Sequence, residues 1–239
     1  MEQTIIWLVC IFVVGSVVIR ALHVPRPVPK KQDLVRLLHS TKFQNGDVIL
    51  FHSNPWIQGV ADGLWSHVGV VVIGKSGVPR LFDITGGNHY ATAAPLIPVL
   101  ENELRQGDRV VAFRRFHPRP PTDLLCHFAR DCVRHKVPYE HVYWRAGFQR
   151  MFGKLFPVDT AHGGVGSMCS SIVCDALKAS GVLASTVNSY EILPSDFGMS
   201  DIATRIPLHA PFEWGKLVFL RMKNRKVRNS EKRHRERRE

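Results

Sequence analysis

The chain has 239 residues, room for one sizeable domain or two small ones. Hydrophobic residues make up 45%, enough for an ordinary buried core. Net charge is +12 and the pI is near 9.9, yet residues 221–239 alone hold ten Lys/Arg against three Glu, so the middle of the chain is only mildly basic.

Residues 4–22 read TIIWLVCIFVVGSVVIRAL. The uncharged run at 4–19 is 16 residues, a little short of the ~20 that span a bilayer. Ala21 and Leu22 extend it, and Arg20 can snorkel. A cleaved signal peptide would start with basic residues and end at a small-residue cleavage site. This chain starts Met1-Glu2-Gln3 and runs on into RALHVPRPVPKK. The expectation is an uncleaved single-pass anchor over 1–23. Arg20, Arg26, Lys30 and Lys31 follow it, which places the C-terminal domain in the cytosol. That compartment is reducing, so the five cysteines are expected as free thiols.

The linker spans 24–42: the stiff proline-rich VPRPVPKK, then an amphipathic helix at 33–40. The domain is expected to run from 43 to 220. Asn45-Gly46-Asp47 is turn chemistry and 48–51 a buried strand. A helix is expected over 55–65, where Pro55 stands at its start. SHVGVVVIG (66–74) is strongly β, and Gly77 begins a hairpin into 78–85. Residues 109–116 form a further strand. In the helix at 121–135, Leu124, Leu125, Phe128 and Cys132 face the core. Residues 143–156 are a helix or a covering loop. Ser167 caps a helix that starts at Cys169, and 215–222 is a closing strand. The class is α+β, a small antiparallel sheet packed by helices. The tail 221–239 has almost no apolar residues after Met222, and is expected to be disordered or a solvated helix. It is either a solubilising terminus or a contact for anionic lipid or nucleic acid.

Cys169, Ile172, Val173, Ala176 and Leu177 share one helical stripe, so Cys169 faces the core in the first turn, with Cys174 off that stripe. A helix N-terminus stabilises a thiolate. A nucleophilic thiol needs a base, and the base an orienting partner. On 66–74, Val68, Val70 and Val72 take one face, and His67, Gly69 and Val71 the other. Asp83 on the next strand can sit beside His67 and hold its second nitrogen. Alone, each of these residues is more often packing or turn chemistry; together and in this order they form a Cys-His-Asp candidate.

GDVILFH, SHVGVVV, LFDITGG and, after a long insert, MCSSIVCDAL and PSDF (194–197) resemble the circularly permuted papain-like fold of the NlpC-type superfamily. More narrowly they resemble the YiiX/YebB-like permuted amidases, and more distantly lecithin–retinol acyltransferase-type proteins. The resemblance covers about 43–220. It implies His67 as base, Asp83 as orienting residue and Cys169 as nucleophile, with Gly46-Asp47 as the opening turn. His89, in GGNHY, competes with Asp83 for the third role, and Met168 stands where an aromatic residue often precedes the cysteine. The implied activity is a cysteine-dependent amide or ester hydrolase or acyltransferase, acting on a peptide-like amide or an acyl lipid. No cofactor is implied.

Other chemistries are poorly served. LCHFARDCVRH holds Cys126, His127, Cys132 and His135, but only Cys132 and His135 share a helix face well, and CxxC and HExxH are absent. AHGGVGS (161–167) is Gly-rich but lacks the Walker lysine and GxGxxG. The tail lacks interleaved aromatics, so specific nucleic-acid binding is not expected. The rival from another class is a catalytically inactive papain-like membrane adaptor. Trp56, Trp65 and Tyr90 either line a cleft near His67 or belong to the core.

Overall fold

The computed structural model describes residues 31–52, 65–85, 87–106, 110–139 and 168–220. The expected anchor at 1–23, the proline-rich part of the linker, all but the last residue of the helix expected at 55–65, the segment at 143–156, Ser167 and the tail at 221–239 lie outside these residues. Among the described residues no helix is long and apolar enough to cross a membrane.

In chain order the elements are α1 (Lys31–Ser40), β1 (Val48–His52), β2 (His67–Ile73), β3 (Pro79–Ile84), β4 (Ala91–Pro95), α2 (Leu96–Arg105), β5 (Val110–Arg114), β6 (Phe116–His117), α3 (Thr122–Arg134), α4 (Cys169–Ala179), α5 (Ile202–Arg205), β7 (Glu213–Trp214) and β8 (Val218–Leu220). Two 3₁₀ turns, Ser189–Glu191 and Pro194–Gly198, connect α4 to α5. Six strands form one antiparallel sheet in the order β4-β3-β2-β1-β5-β8, and β6 pairs separately with β7. The class is α+β, an antiparallel sheet packed by helices.

Strand alternation sorts the side chains into two cores, because successive residues point to opposite faces. Val48, Leu50, Val68, Val70, Val72, Phe82, Ile84 and Ala112 pack with Leu125, Ala129 and Cys132 of α3 and with Cys169, Ile172, Val173, Ala176 and Leu177 of α4. Ile49, Phe51, Val71, Leu81, Val111, Phe113 and Leu220 pack with Leu34 and Leu38 of α1 and Leu96, Leu100 and Leu104 of α2. Each fully buried Val, Leu or Phe contributes about 1.5–3 kcal/mol of transfer free energy. The central strands are covered on both sides, which explains the unbroken burial of Val68, Gly69, Val70, Val71 and Val72.

Some expectations are corrected. Leu124 is 52% exposed rather than core, because the buried stripe of α3 runs through Leu125, Ala129 and Cys132. Cys174 is fully buried although it lies off the apolar stripe, since α4 is enclosed on nearly all sides, Ser170 and Ser171 included. The N-cap of α4 is Met168, and Ser171 ties the helix start: its Oγ accepts from the Met168 N–H at 2.8 Å and donates to the Met168 carbonyl at 3.0 Å.

The opening turn closes one end of the sheet. Gly46 has φ +87, a region that favours glycine. Asp47 accepts from the Gln44 N–H at 2.9 Å and from Arg115 Nε at 3.2 Å. Burial pushes the Asp47 carboxyl up to about 6, against the opposing pull of Gln44 and Arg115. The neighbouring Asn45 Oδ1 accepts from the Ile73 N–H at 2.9 Å, locking the far end of β2 to the turn.

Candidate active site

The opposite end of the sheet gathers the candidate residues. His67 is the first residue of β2, Asp83 is the last but one of β3, Thr92 is the second of β4, and Cys169 is the first of α4. Element ends are where side chains can leave the alternating pattern of the sheet. His67 pairs with Phe51, on the face of the second core, whereas α4 packs on the Val68 face. The imidazole therefore meets Cys169 at the end of the sheet rather than across its face.

His67 Nε2 lies 2.9 Å from Asp83 Oδ2, with the histidine side chain 18% exposed and the aspartate 10%. The Cys169 side chain lies close enough to His67 to act on its titration. With Nε2 engaged by Asp83, Nδ1 is the ring nitrogen left for the sulfur. Burial alone would lower the histidine's pKa. The hydrogen bond to Asp83, the neighbouring Cys169 and the negative charge of both override it and push the group up to about 10. A raised titration favours the charged imidazolium beside the Asp83 carboxylate. Its body lies against Phe51, with ring centroids 5.5 Å apart.

Register explains how Asp83 reaches His67. The β2–β3 pairing runs Val70 with Phe82 and Val71 with Leu81; continued one step, it sets Gly69 opposite Asp83. A Cβ on Gly69 would lie 3.1 Å from Asp83 Cβ and 2.7 Å from Leu81 Cδ1. The missing side chain clears the space through which Asp83 leans to its diagonal neighbour. On the other side, Thr92 is the direct partner of Asp83 on β4, and its Oγ1 donates to Asp83 Oδ1 at 3.0 Å. Each carboxylate oxygen thus has its own donor.

Cys169 is fully buried at the N-terminus of an 11-residue helix with no acidic residue in its first turn, so the positive end of the helix dipole is left for the sulfur. The buried hydroxyl of Tyr139 is close enough to feel charge on Cys169. Burial first, and that charge second, raise it above the usual tyrosine range. Neither Thr92 nor Tyr139 was expected from sequence. Thr92 is one small residue in ATAAP, and Tyr139 lies 30 residues from Cys169 in an unpatterned stretch.

The other candidates lie elsewhere. His89 sits in the exposed turn after β3 with φ +59, and its carbonyl accepts from the Tyr139 N–H at 2.9 Å. Tyr90 is 46% exposed, Trp65 is buried against Phe219, and Trp56 lies outside the described residues. The described cysteines are free thiols. Cys126 donates to the Ile73 carbonyl at 3.4 Å. Burial raises the thiols of Cys126, of Cys132 (to about 11) and of Cys174.

No family model matches the chain, and no curated protein matches it. Among solved structures, the chain is similar to the metalloprotein YiiX from Escherichia coli O157:H7, at 18% identity and a TM-score of 0.40. The match covers 57% of this chain and 66% of that one. A likeness at that distance assigns neither chemistry nor a metal to this chain.

Proposed function

We propose that the chain is a cysteine-dependent hydrolase or acyltransferase of circularly permuted papain-like design. Cys169 is the nucleophile, His67 the general acid and base, and Asp83 the orienting residue. The observation that carries this reading is one imidazole hydrogen-bonded to the Asp83 carboxylate at 2.9 Å, with a buried cysteine at a helix start raising the titration of the same ring. Such a pair is a thiolate–imidazolium nucleophile.

The Cys169 thiolate attacks the carbonyl carbon of an amide or ester, forming a C–S bond. The C–N or C–O bond breaks as the His67 imidazolium gives its Nδ1 proton to the leaving group. Neutral His67 then takes a proton from water, or from an acceptor amine or alcohol, which attacks the thioester and frees the sulfur. The amide N–H groups that a helix start leaves unpaired would serve the oxyanion at α4. Peptide-like amides and acyl lipids both fit this chemistry. The reading includes a single-pass anchor at 1–23 with a cytosolic domain at 43–220, supported by the uncharged run at 4–19 and the basic residues after it.

The second reading is an inactive adaptor, favoured by the complete burial of Cys169. Alkylation of the full chain with iodoacetamide across pH, each cysteine mapped by mass spectrometry, separates the two. The enzyme reading expects Cys169 to react at least tenfold faster below pH 7 than Cys126, Cys132 or Cys174, and His67→Ala to abolish that advantage. Equal rates at all four sites would leave the adaptor as the better account.

A further inference from the structure

The exposed turn after β3 leads into β4 through Tyr90, whose aromatic side chain is 46% exposed. Its place in the sheet is set by register. Thr92 pairs with Asp83 and donates to its carboxylate, so both side chains stand on one side of the sheet, the side of His67. Tyr90 is two residues before Thr92, and strand alternation puts it on that same side. It is about 7 Å nearer the end of the sheet than Thr92, and two strand spacings, roughly 10 Å, separate β4 from β2. An open aromatic ring thus stands beside the candidate site, on the side of the imidazole and not of α4.

The backbone that carries the ring is held from both directions. The Ala91 N–H donates to the Val137 carbonyl and the Tyr139 N–H to the His89 carbonyl, each at 2.9 Å, and Tyr90 bridges Pro138. Within the turn, the Thr85 carbonyl accepts from the N–H groups of Asn88 at 3.2 Å and His89 at 3.1 Å, and His89 holds φ +59. A non-glycine residue in the left-handed region costs free energy, and such residues persist where the surrounding structure fixes them, often at ligand clamps. A large aromatic ring left in the open on fixed backbone suits recognition, because little freedom is lost when a ligand meets it. The surface is also uncharged. Residues 84–95 hold no Lys, Arg, Asp or Glu, and Arg80, which reaches β4 from β3, is turned to the Ala93 carbonyl at 2.6 Å.

We infer that Tyr90 selects the leaving-group half of the substrate, seating an uncharged planar or apolar group attached to the departing nitrogen or oxygen. The inference rests on the reading proposed above. There His67 gives its proton to the leaving group, so the departing part of the substrate lies on the imidazole side, where Tyr90 stands. The acyl half, bound to Cys169, lies on the side of α4. The substrate class narrows to amides and esters whose amine or alcohol carries an apolar or aromatic substituent. A carboxylate at that place meets no Lys or Arg from residues 84–95.

The test treats the full chain with N-benzyl iodoacetamide and N-carboxymethyl iodoacetamide, each Cys169 rate being divided by that of N-acetylcysteine in the same buffer. The benzyl reagent should be favoured at Cys169 by about threefold to tenfold, the range of one aromatic contact. Tyr90→Phe keeps the ring and should keep the preference, Tyr90→Ala should abolish it, and Tyr90→Arg should reverse it. A preference unchanged in Tyr90→Ala, or none in the parent chain, overturns the inference. A second arm needs no reaction. The chain has four tyrosines, and with 3-fluorotyrosine incorporated the fluorine signal missing from Tyr90→Phe is that of Tyr90. In Cys169→Ala, N-benzylacetamide should shift that signal saturably and N-acetylglycine should not; equal effects of the two count against the inference. A hyper-reactive Cys169 with no benzyl preference and no shift removes only this inference. A saturable shift with an unreactive Cys169 removes the enzyme reading and leaves Tyr90 as a binding residue.

Discussion

Asp83 Oδ2 accepts from His67 Nε2 at 2.9 Å, although the residue opposite Asp83 on β2 is Gly69. The bond is a diagonal one across a hairpin, and the glycine is what makes the diagonal accessible. A carboxylate on the edge side of the strand, a glycine opposite it and a histidine two residues before that glycine form one mechanical unit. Its consequences reach from the titration of the imidazole to the stability of the sheet.

Replacing Asp83 by Asn keeps the shape and removes the charge. Both the hydrogen bond and the charge of Asp83 raise His67. A charge-assisted bond of about 1.5–3 kcal/mol corresponds to roughly one to two pH units. Asp83→Asn should therefore bring the His67 titration down by that much in a histidine NMR experiment, and slow Cys169 alkylation by tenfold or more. A titration unchanged from the parent chain would falsify the coupling.

Thr92→Val is nearly isosteric and removes the donor to Asp83 Oδ1. The cost in stability should be about 1 kcal/mol, the net worth of an ordinary hydrogen bond. If Thr92 positions Asp83, alkylation of Cys169 at neutral pH should also slow, by about threefold to tenfold, and Thr92→Ser should restore it. A stability loss with unchanged Cys169 reactivity would make Thr92 structural only.

Residues with strong local patterns were legible in the sequence. The valine run of β2 and the turn at Asn45-Gly46-Asp47 pointed to their elements directly. The apolar stripe of α4 likewise placed Cys169 in the core. β4 and α2 were not anticipated. ATAAP holds mostly small residues, whose strand state comes from pairing with β3 rather than from propensity. LIPVLENELR carries Pro98, which reads as a breaker but is tolerated in the first turn, where its missing N–H has no partner to lose. The site was legible as a set of residues but not as geometry. Alternation put His67 on the face away from Val68, and only the assembled sheet shows the imidazole meeting Cys169 at the strand's end. Thr92 and the clearance at Gly69 depend on register, which no local pattern specifies.

Gly69→Ala tests that clearance. The added methyl meets Leu81 Cδ1 at 2.7 Å and Asp83 Cβ at 3.1 Å, and both belong to buried side chains. Overpacking of this kind costs about 1–3 kcal/mol, to be read from the midpoint of urea unfolding. Val71→Ala, on the same strand face but away from Asp83, is the control. At matched stability loss, Gly69→Ala should lower Cys169 reactivity and Val71→Ala should not. Equal effects would mean that the glycine serves packing alone.

Stability should fall with rising pH in two separate windows. The folded His67 titrates at about 10, above its ordinary 6.5. A raised histidine contributes stability that is fully present below about 6.5 and lost as pH rises toward about 10, on the order of a few kcal/mol. Asp47 is also raised, to about 6 from 3.8, so the folded state holds that proton more tightly and stability declines between those values as the carboxyl ionises. Urea unfolding across pH should resolve both declines. Asp47→Asn should flatten only the acidic one. Cys169→Ala, which removes the sulfur's share of the upward push on His67, should flatten only part of the alkaline one. If Cys169→Ala superimposes on the parent chain above pH 7, the sulfur and the imidazole are not coupled, and the nucleophile assignment loses its electrostatic basis.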